Sequence, residues 1–162
     1  MTLLASKKLP SDFVAPDFSL KGIDGETYSW ASFGDKKVVI IFMCVHCPYV
    51  QAIEDQIIQV QSDFPDAVVV GINPNDAEMY PEDSFENMGK RAEEMGYNFL
   101  YLRDETQEIA RAYEAVCTPD IYVFNAGRSL LYHGRIEEVP LALLGDFDGE
   151  PIPSQGCSIK WS

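Results

Sequence analysis

Positive charge is scarce in this chain. Twelve Lys and Arg stand against 26 Asp and Glu, a formal net charge of −14, which repels nucleic-acid phosphates and anionic lipid surfaces and argues against either as a partner. Histidine occurs twice and cysteine four times. Four cysteines are too few for a disulfide framework in a chain of 162 residues. A structural zinc site would call for a second C-x-x-C or an H-x-x-x-H pair, and the sequence has neither. The opening Met1-Thr2-Leu3-Leu4-Ala5-Ser6-Lys7-Lys8 lacks the apolar core of a signal peptide, so the cytoplasm, a reducing compartment, is the expected location. Internal repeats and low-complexity tracts are also missing. What remains is 46 % hydrophobic and 12 % aromatic, enough to fill the core of one globular domain over residues 1–162.

Two of the cysteines form the most informative feature, Cys44-Val45-His46-Cys47. The tetrapeptide follows the apolar run Lys37–Met43 and precedes Pro48-Tyr49-Val50-Gln51-Ala52-Ile53. A C-x-x-C at a strand-to-helix junction reads as a redox dithiol. The expectation is that Cys44 lies at the exposed start of a helix, where unpaired N–H groups and the positive end of the macrodipole favour a thiolate. Cys47 then sits one turn on, within disulfide reach. His46 between them would carry positive charge and lower the Cys44 thiol. The plainer alternatives are half of a zinc site, or two small core residues that happen to lie close together.

Alternating signals predict the organisation. Phe18-Ser19-Leu20, the turn Gly22–Gly25 and Thr27-Tyr28-Ser29 read as an N-terminal hairpin. The run 37–43 reads as a buried, central, parallel strand. The helix after the dithiol should turn Val50, Ile53, Ile57, Ile58 and Val60 inward and Glu54, Asp55 and Gln61 to water. Residues 67–72 form a second buried strand. Asp83 with Glu86 makes a capping-box-like start for a helix running to Met95, and Gly96 stops it. A strand at 99–102, a helix from Asp104 to Tyr113 and a hairpin of 121–124 with 129–133 complete a mixed sheet flanked by helices. The dithiol then falls at the carboxyl end of a central strand, where α/β sites form.

Cys117-Thr118-Pro119 stands directly before the strand 120–124, where a proline needs no N–H. In this order of elements the segment resembles the thioredoxin superfamily, in which a cis-proline packs against the C-x-x-C and the preceding backbone pairs with substrate. A trans turn proline is the alternative reading. The resemblance narrows on Ala15-Pro16-Asp17-Phe18-Ser19-Leu20 with Gly25, on Phe42–Val50, on Asp104-Glu105-Thr106-Gln107, on Cys117-Thr118-Pro119-Asp120 and on Gly156-Cys157-Ser158-Ile159-Lys160-Trp161. Together these are similar to a thioredoxin-like subgroup of the AhpC/TSA (redoxin, peroxiredoxin-like) family. Two departures stand out. The peroxiredoxin pattern P-x-x-x-[TS]-x-x-C aligned on Cys47 puts Cys44 at the Thr/Ser position, and aligned on Cys44 it puts Ile41 there, so neither cysteine has the hydroxyl. After His133-Gly134-Arg135-Ile136, Glu137-Glu138-Val139-Pro140 leads at once into Leu141–Leu144, where such relatives carry a longer stretch.

The resemblance implies a thioredoxin-like α/β fold and a thiol–disulfide oxidoreductase with an antioxidant role. It would need no cofactor and no metal, and its partners would be disulfide-containing or oxidised proteins and a thiol reductant. In this reading Cys44 attacks, Cys47 resolves, His46 tunes Cys44, and Thr118 and Pro119 position the substrate. A thiol peroxidase acting on hydroperoxides is the alternative enzyme. A copper- or zinc-binding module using the dithiol with His46 or His133 is the alternative of another class. Cys117 and Cys157, the latter in a C-terminal tail 150–162, are candidate auxiliary thiols: docking of the tail would bring Cys157 toward Cys117 or the active site, with Cys117 the expected partner on oxidation and a buried, inert Cys117 the plainer alternative.

Overall fold

A computed structural model describes residues 7–134 and 157–162. Part of the expected tail, 150–156, and the abbreviated stretch that begins at Arg135 lie outside the described residues. The elements follow the expected alternation: β1 (Leu20–Gly22), β2 (Thr27–Tyr28), β3 (Val38–Phe42), α1 (Pro48–Gln51), α2 (Glu54–Asp63), β4 (Val68–Asn73), α3 (Phe85–Met95), β5 (Leu100–Arg103), α4 (Glu108–Ala112), β6 (Cys117–Thr118), β7 (Asp120–Phe124), β8 (Leu130–Gly134) and β9 (Cys157–Ser158). Seven strands form one mixed sheet in the order β2-β1-β5-β4-β3-β7-β8, and β6 pairs with β9 in a separate ribbon. The strand β3 is central as expected, but it is parallel only to β4 and antiparallel to β7.

All five residues of β3 are buried because both sheet faces are covered. Val39 and Ile41 point, with Met43, toward Ile53, Ile57, Met88 and Ala92 of the helical layer. Val38, Ile40 and Phe42 point the other way, onto Trp30, Phe33, Tyr113, Tyr122 and Phe124. The alternation is the two-residue period of a strand applied to two cores.

Two local expectations are corrected. The helix after the dithiol is broken at Ala52 and Ile53 into α1 and α2, and the break rotates Glu54 inward, so that its side chain is 1 % exposed rather than in water. There Arg91 Nε donates to Glu54 Oε2 at 2.9 Å, the Arg91 Nη2 group pairs with Oε1, and the Tyr97 hydroxyl donates to Oε2. The other correction concerns α3, whose N-cap is Ser84, accepting from the Asn87 N–H at 3.2 Å, and not Asp83. Asp and Ser are equally good caps, so a one-residue choice was open to the sequence. Gly96 ends α3 in the left-handed conformation as expected.

The Glu54–Arg91 pair fastens the dithiol's helical layer to α3. Arg91→Met leaves a buried carboxylate without its cation, so we expect a loss of roughly 2–4 kcal/mol in urea unfolding. A loss under about 1 kcal/mol, typical of exposed pairs, would show that the pair does not fasten the two helices.

Candidate active site

The dithiol loop leaves the carboxyl end of β3 and enters α1, with Cys47 as the N-cap residue and Pro48 as the first helical residue. That geometry differs from the expected placement of the two sulfurs. Cys44 was to be the exposed thiol, yet both cysteines are 1 % exposed. Cys47, not Cys44, is the sulfur at the helix start. The Cys44 S–H donates to it, and despite the opposing effect of burial, Cys157, the Val50 N–H and Thr118 also help to pull the Cys47 thiol well below its ordinary value. Cys44 moves in the opposite direction. Its proton is held by the hydrogen bond to Cys47, by burial and by the nearby Asp83 carboxylate, so the thiolate of the pair resides on Cys47.

Thr118 and Pro119 stand beside the pair. The Thr118–Pro119 bond is cis. Thr118 Oγ1 lies 3.5 Å from Cys44 Sγ, and the Thr118 carbonyl oxygen lies 3.6 Å from Cys47 Sγ. His46 brings a ring nitrogen within 4.8 Å of the Cys44 sulfur, but the same ring is engaged by a carboxylate. Its Nδ1 lies 2.5 Å from Asp83 Oδ2, off the line of an aligned hydrogen bond, and its ring stacks on Tyr80.

Asp83 is the site residue that sequence reasoning missed. It is fully buried, accepting from the Val45 N–H at 2.7 Å, from Asn75 Nδ2 at 3.0 Å and from Asn73 Nδ2 at 3.4 Å. Burial alone would raise its carboxyl. His46, Asn75 and the Val45 N–H outweigh that and hold it below the usual carboxylate value, while the same carboxylate holds the His46 imidazole above the usual histidine value. One signal was available in the sequence: two acidic residues, Glu82 and Asp83, precede Ser84, itself a sufficient cap.

Of the two places expected for Cys157, beside Cys117 or at the active site, the structure has the second. In the β6–β9 ribbon Cys117 faces Ser158 and Thr118 faces Cys157. Adjacent residues on a strand point to opposite sides, so this register turns Cys157 away from Cys117. Cys157 Sγ instead lies 3.0 Å from Cys47 Sγ. For a metal, the structure groups one ligand atom each of Cys44, His46 and Asp83 within 4.8 Å of one another. His133 is occupied elsewhere, with its Nε2 3.0 Å from Asp120 Oδ1 and its ring on Tyr122.

The profile of the AhpC/TSA family matches residues 13–133. The chain belongs to the AhpC/TSA family. Among solved structures it is similar to an uncharacterized conserved protein from Geobacillus kaustophilus, at 40 % identity over 100 % of this chain and 97 % of that one, with a TM-score of 0.89. A hypothetical protein from Sinorhizobium meliloti is 31 % identical over 98 % of both chains, with a TM-score of 0.87. The thioredoxin domain of a thiol-disulfide oxidoreductase from Bacteroides vulgatus, at 17 % identity and a TM-score of 0.67 over 78 % of this chain and 89 % of that one, shares the fold. No curated protein sequence matches closely enough to count as a relative. The fold is thioredoxin-like, and family membership gives the chain a redox role as an oxidoreductase. Among the described residues no helix is long and apolar enough to cross a membrane.

The Asp83–His46 pair carries a pH signature. His46 binds its proton more tightly when folded, so its share of stability is full below the ordinary histidine value and is lost as pH rises through the raised one. Asp83 binds its proton less tightly when folded, so its share is present above the ordinary carboxylate value and is lost as pH falls through the lowered one. Asp83→Asn should therefore move the His46 imidazole titration, followed by NMR, down toward the ordinary histidine value and flatten the acid limb of the stability profile. An unmoved His46 titration would mean that another group holds its proton.

Proposed function

We propose that this protein is a thiol–disulfide oxidoreductase with an antioxidant role, working through Cys44 and Cys47. The observation that carries the reading is the geometry of the pair: two buried sulfurs stand at the start of a helix with Thr118, next to the cis-proline, against both, and their surroundings push Cys44 up and Cys47 down. The Cys47 thiolate attacks one sulfur of a substrate disulfide. A Cys47–substrate bond forms, the substrate disulfide breaks, and its other sulfur leaves with the electron pair. Cys44, giving up its proton, then attacks Cys47 Sγ and expels the second substrate thiolate. The substrate has gained two electrons, and the protein holds a Cys44–Cys47 disulfide that an external thiol reductant reopens.

Disulfide-containing or oxidised proteins are the proposed substrates, the reducing cytoplasm the proposed location, and the single domain 1–162 with its tail the proposed working unit. Deep burial of both sulfurs also suits a second reading, in which the Cys47 thiolate is oxidised by a hydroperoxide to a sulfenic acid. Cys44 then stands where a peroxiredoxin has its hydroxyl residue.

With reduced protein, disulfide substrate should be consumed faster than hydrogen peroxide, and Cys47→Ser should reduce that activity to the uncatalysed background. Peroxide consumed faster would promote the peroxidase. Full activity in Cys47→Ser would reverse the assignment of nucleophile. Stoichiometric zinc or copper in the purified protein would instead make Cys44, His46 and Asp83 a metal site.

A further inference from the structure

The tail residues 157–162 are fastened to the site from several directions. The β9 strand pairs with Cys117–Thr118, the backbone just before the cis-proline. Beyond it the Ile159 N–H donates to the Val116 carbonyl at 2.9 Å, and Ile159 is buried in the core. The Lys160 N–H donates to Asn75 Oδ1 at 2.9 Å, and the Lys160 carbonyl accepts from the Asp76 N–H and from Gln107 Nε2, both at 2.8 Å. Trp161 lies under the Arg111 guanidinium at 4.7 Å. Such anchoring fixes the height of Cys157 above the dithiol.

At 3.0 Å, the Cys47 and Cys157 sulfurs are roughly 1 Å from the bonded separation of a disulfide. We propose that Cys157 is a third redox thiol, an intramolecular exchange partner that takes over the disulfide from Cys47. The inference rests on the reading of Cys44 and Cys47 as a redox pair. Cys157, once deprotonated, attacks Cys47 Sγ of the Cys44–Cys47 disulfide. The Cys47–Cys157 bond forms, the Cys44–Cys47 bond breaks, and its electron pair goes to Cys44, which takes up the proton that Cys157 gave up. No net oxidant or reductant is required, since the disulfide only changes partner.

The electrostatics time this exchange. In the reduced protein burial and the adjoining Cys47 thiolate push the Cys157 thiol up to about 12, which keeps it silent. Once Cys47 is in a disulfide its charge is gone, and that part of the restraint on Cys157 goes with it. Presentation of the sulfur on a strand laid antiparallel along the Cys117–Thr118 backbone is also the way an extended peptide is received by strand addition. The tail therefore presents Cys157 as the chain's own substrate sulfur.

The test uses the full-length chain, its Cys44→Ser and its Cys157→Ser variants, equilibrated with oxidised glutathione, quenched in acid, alkylated and mapped without reduction. We expect Cys47–Cys157 peptides beside Cys44–Cys47 peptides in the unmodified chain, and Cys47–Cys157 as the internal link in Cys44→Ser. Quantitative alkylation of Cys157 in the oxidised unmodified chain, or a Cys117–Cys157 peptide in place of Cys47–Cys157, would overturn the proposal. The unmodified chain decides the matter even if Cys44→Ser does not fold. A Cys44–Cys47 peptide in Cys157→Ser reports on the dithiol reading alone, so the two failures are told apart.

Discussion

A single buried carboxylate sets the geometry around the dithiol. Asp83 is removed from water, and an ionised carboxylate left there without partners would cost several kcal/mol. Satisfying it ties together segments far apart in sequence. The Val45 N–H belongs to the dithiol loop, Asn73 to the end of β4, Asn75 to the bend after it, and His46 to the space between the cysteines. Asn75 carries the connection further, because its side-chain oxygen receives the Lys160 N–H three residues after Cys157. Loop, sheet edge and tail are thus positioned against one charge.

The same charge adds to what holds the proton on Cys44, after the hydrogen bond to Cys47 and burial. Asp83 disfavours a negative Cys44, and it holds the proton of His46 beside itself. Cys47 lies at the other end of the loop. There the Cys44 S–H and the Val50 N–H point at its sulfur, so the one negative charge of the pair settles on Cys47. The order of the two cysteines along a C-x-x-C says nothing about this. Their surroundings across the fold do.

What was legible in the sequence were the features written in local periodicity. The uninterrupted apolar run of β3, the two hairpins, the glycine after Met95 and the proline ahead of β7 each carry their own signal within a few residues, and the mixed sheet follows from their order. What was not legible depended on contacts across the fold. Glu54 looks solvent-facing on one continuous helix and turns inward only because the helix breaks at Ala52 and Ile53. Asp83 looks like a cap because nothing nearby in sequence announces Val45 or His46. Cys157 could be brought near the site by the tail's apolar residues, but the register of β6 on β9, which hands it to Cys47 rather than to Cys117, is a one-residue matter no local pattern fixes.

That register has a steric consequence for the site. The N–H and carbonyl groups of Cys117 and Thr118 accept one strand at a time, and β9 occupies them. Both reactive sulfurs are covered at the same time. A peptide entering along that edge has to replace β9, whose two ladder residues are reinforced by the bonds of Ile159 and Lys160 to Val116, Asn75, Asp76 and Gln107. Moving the tail aside also withdraws Cys157 from Cys47, so the edge serves the tail's sulfur or an incoming strand's, and not both together. A small oxidant meets a different constraint, since it needs only a path to one sulfur and no strand of its own. In the proposed chemistry a protein disulfide would therefore compete with the tail for the Cys117–Thr118 backbone, and a small oxidant would not.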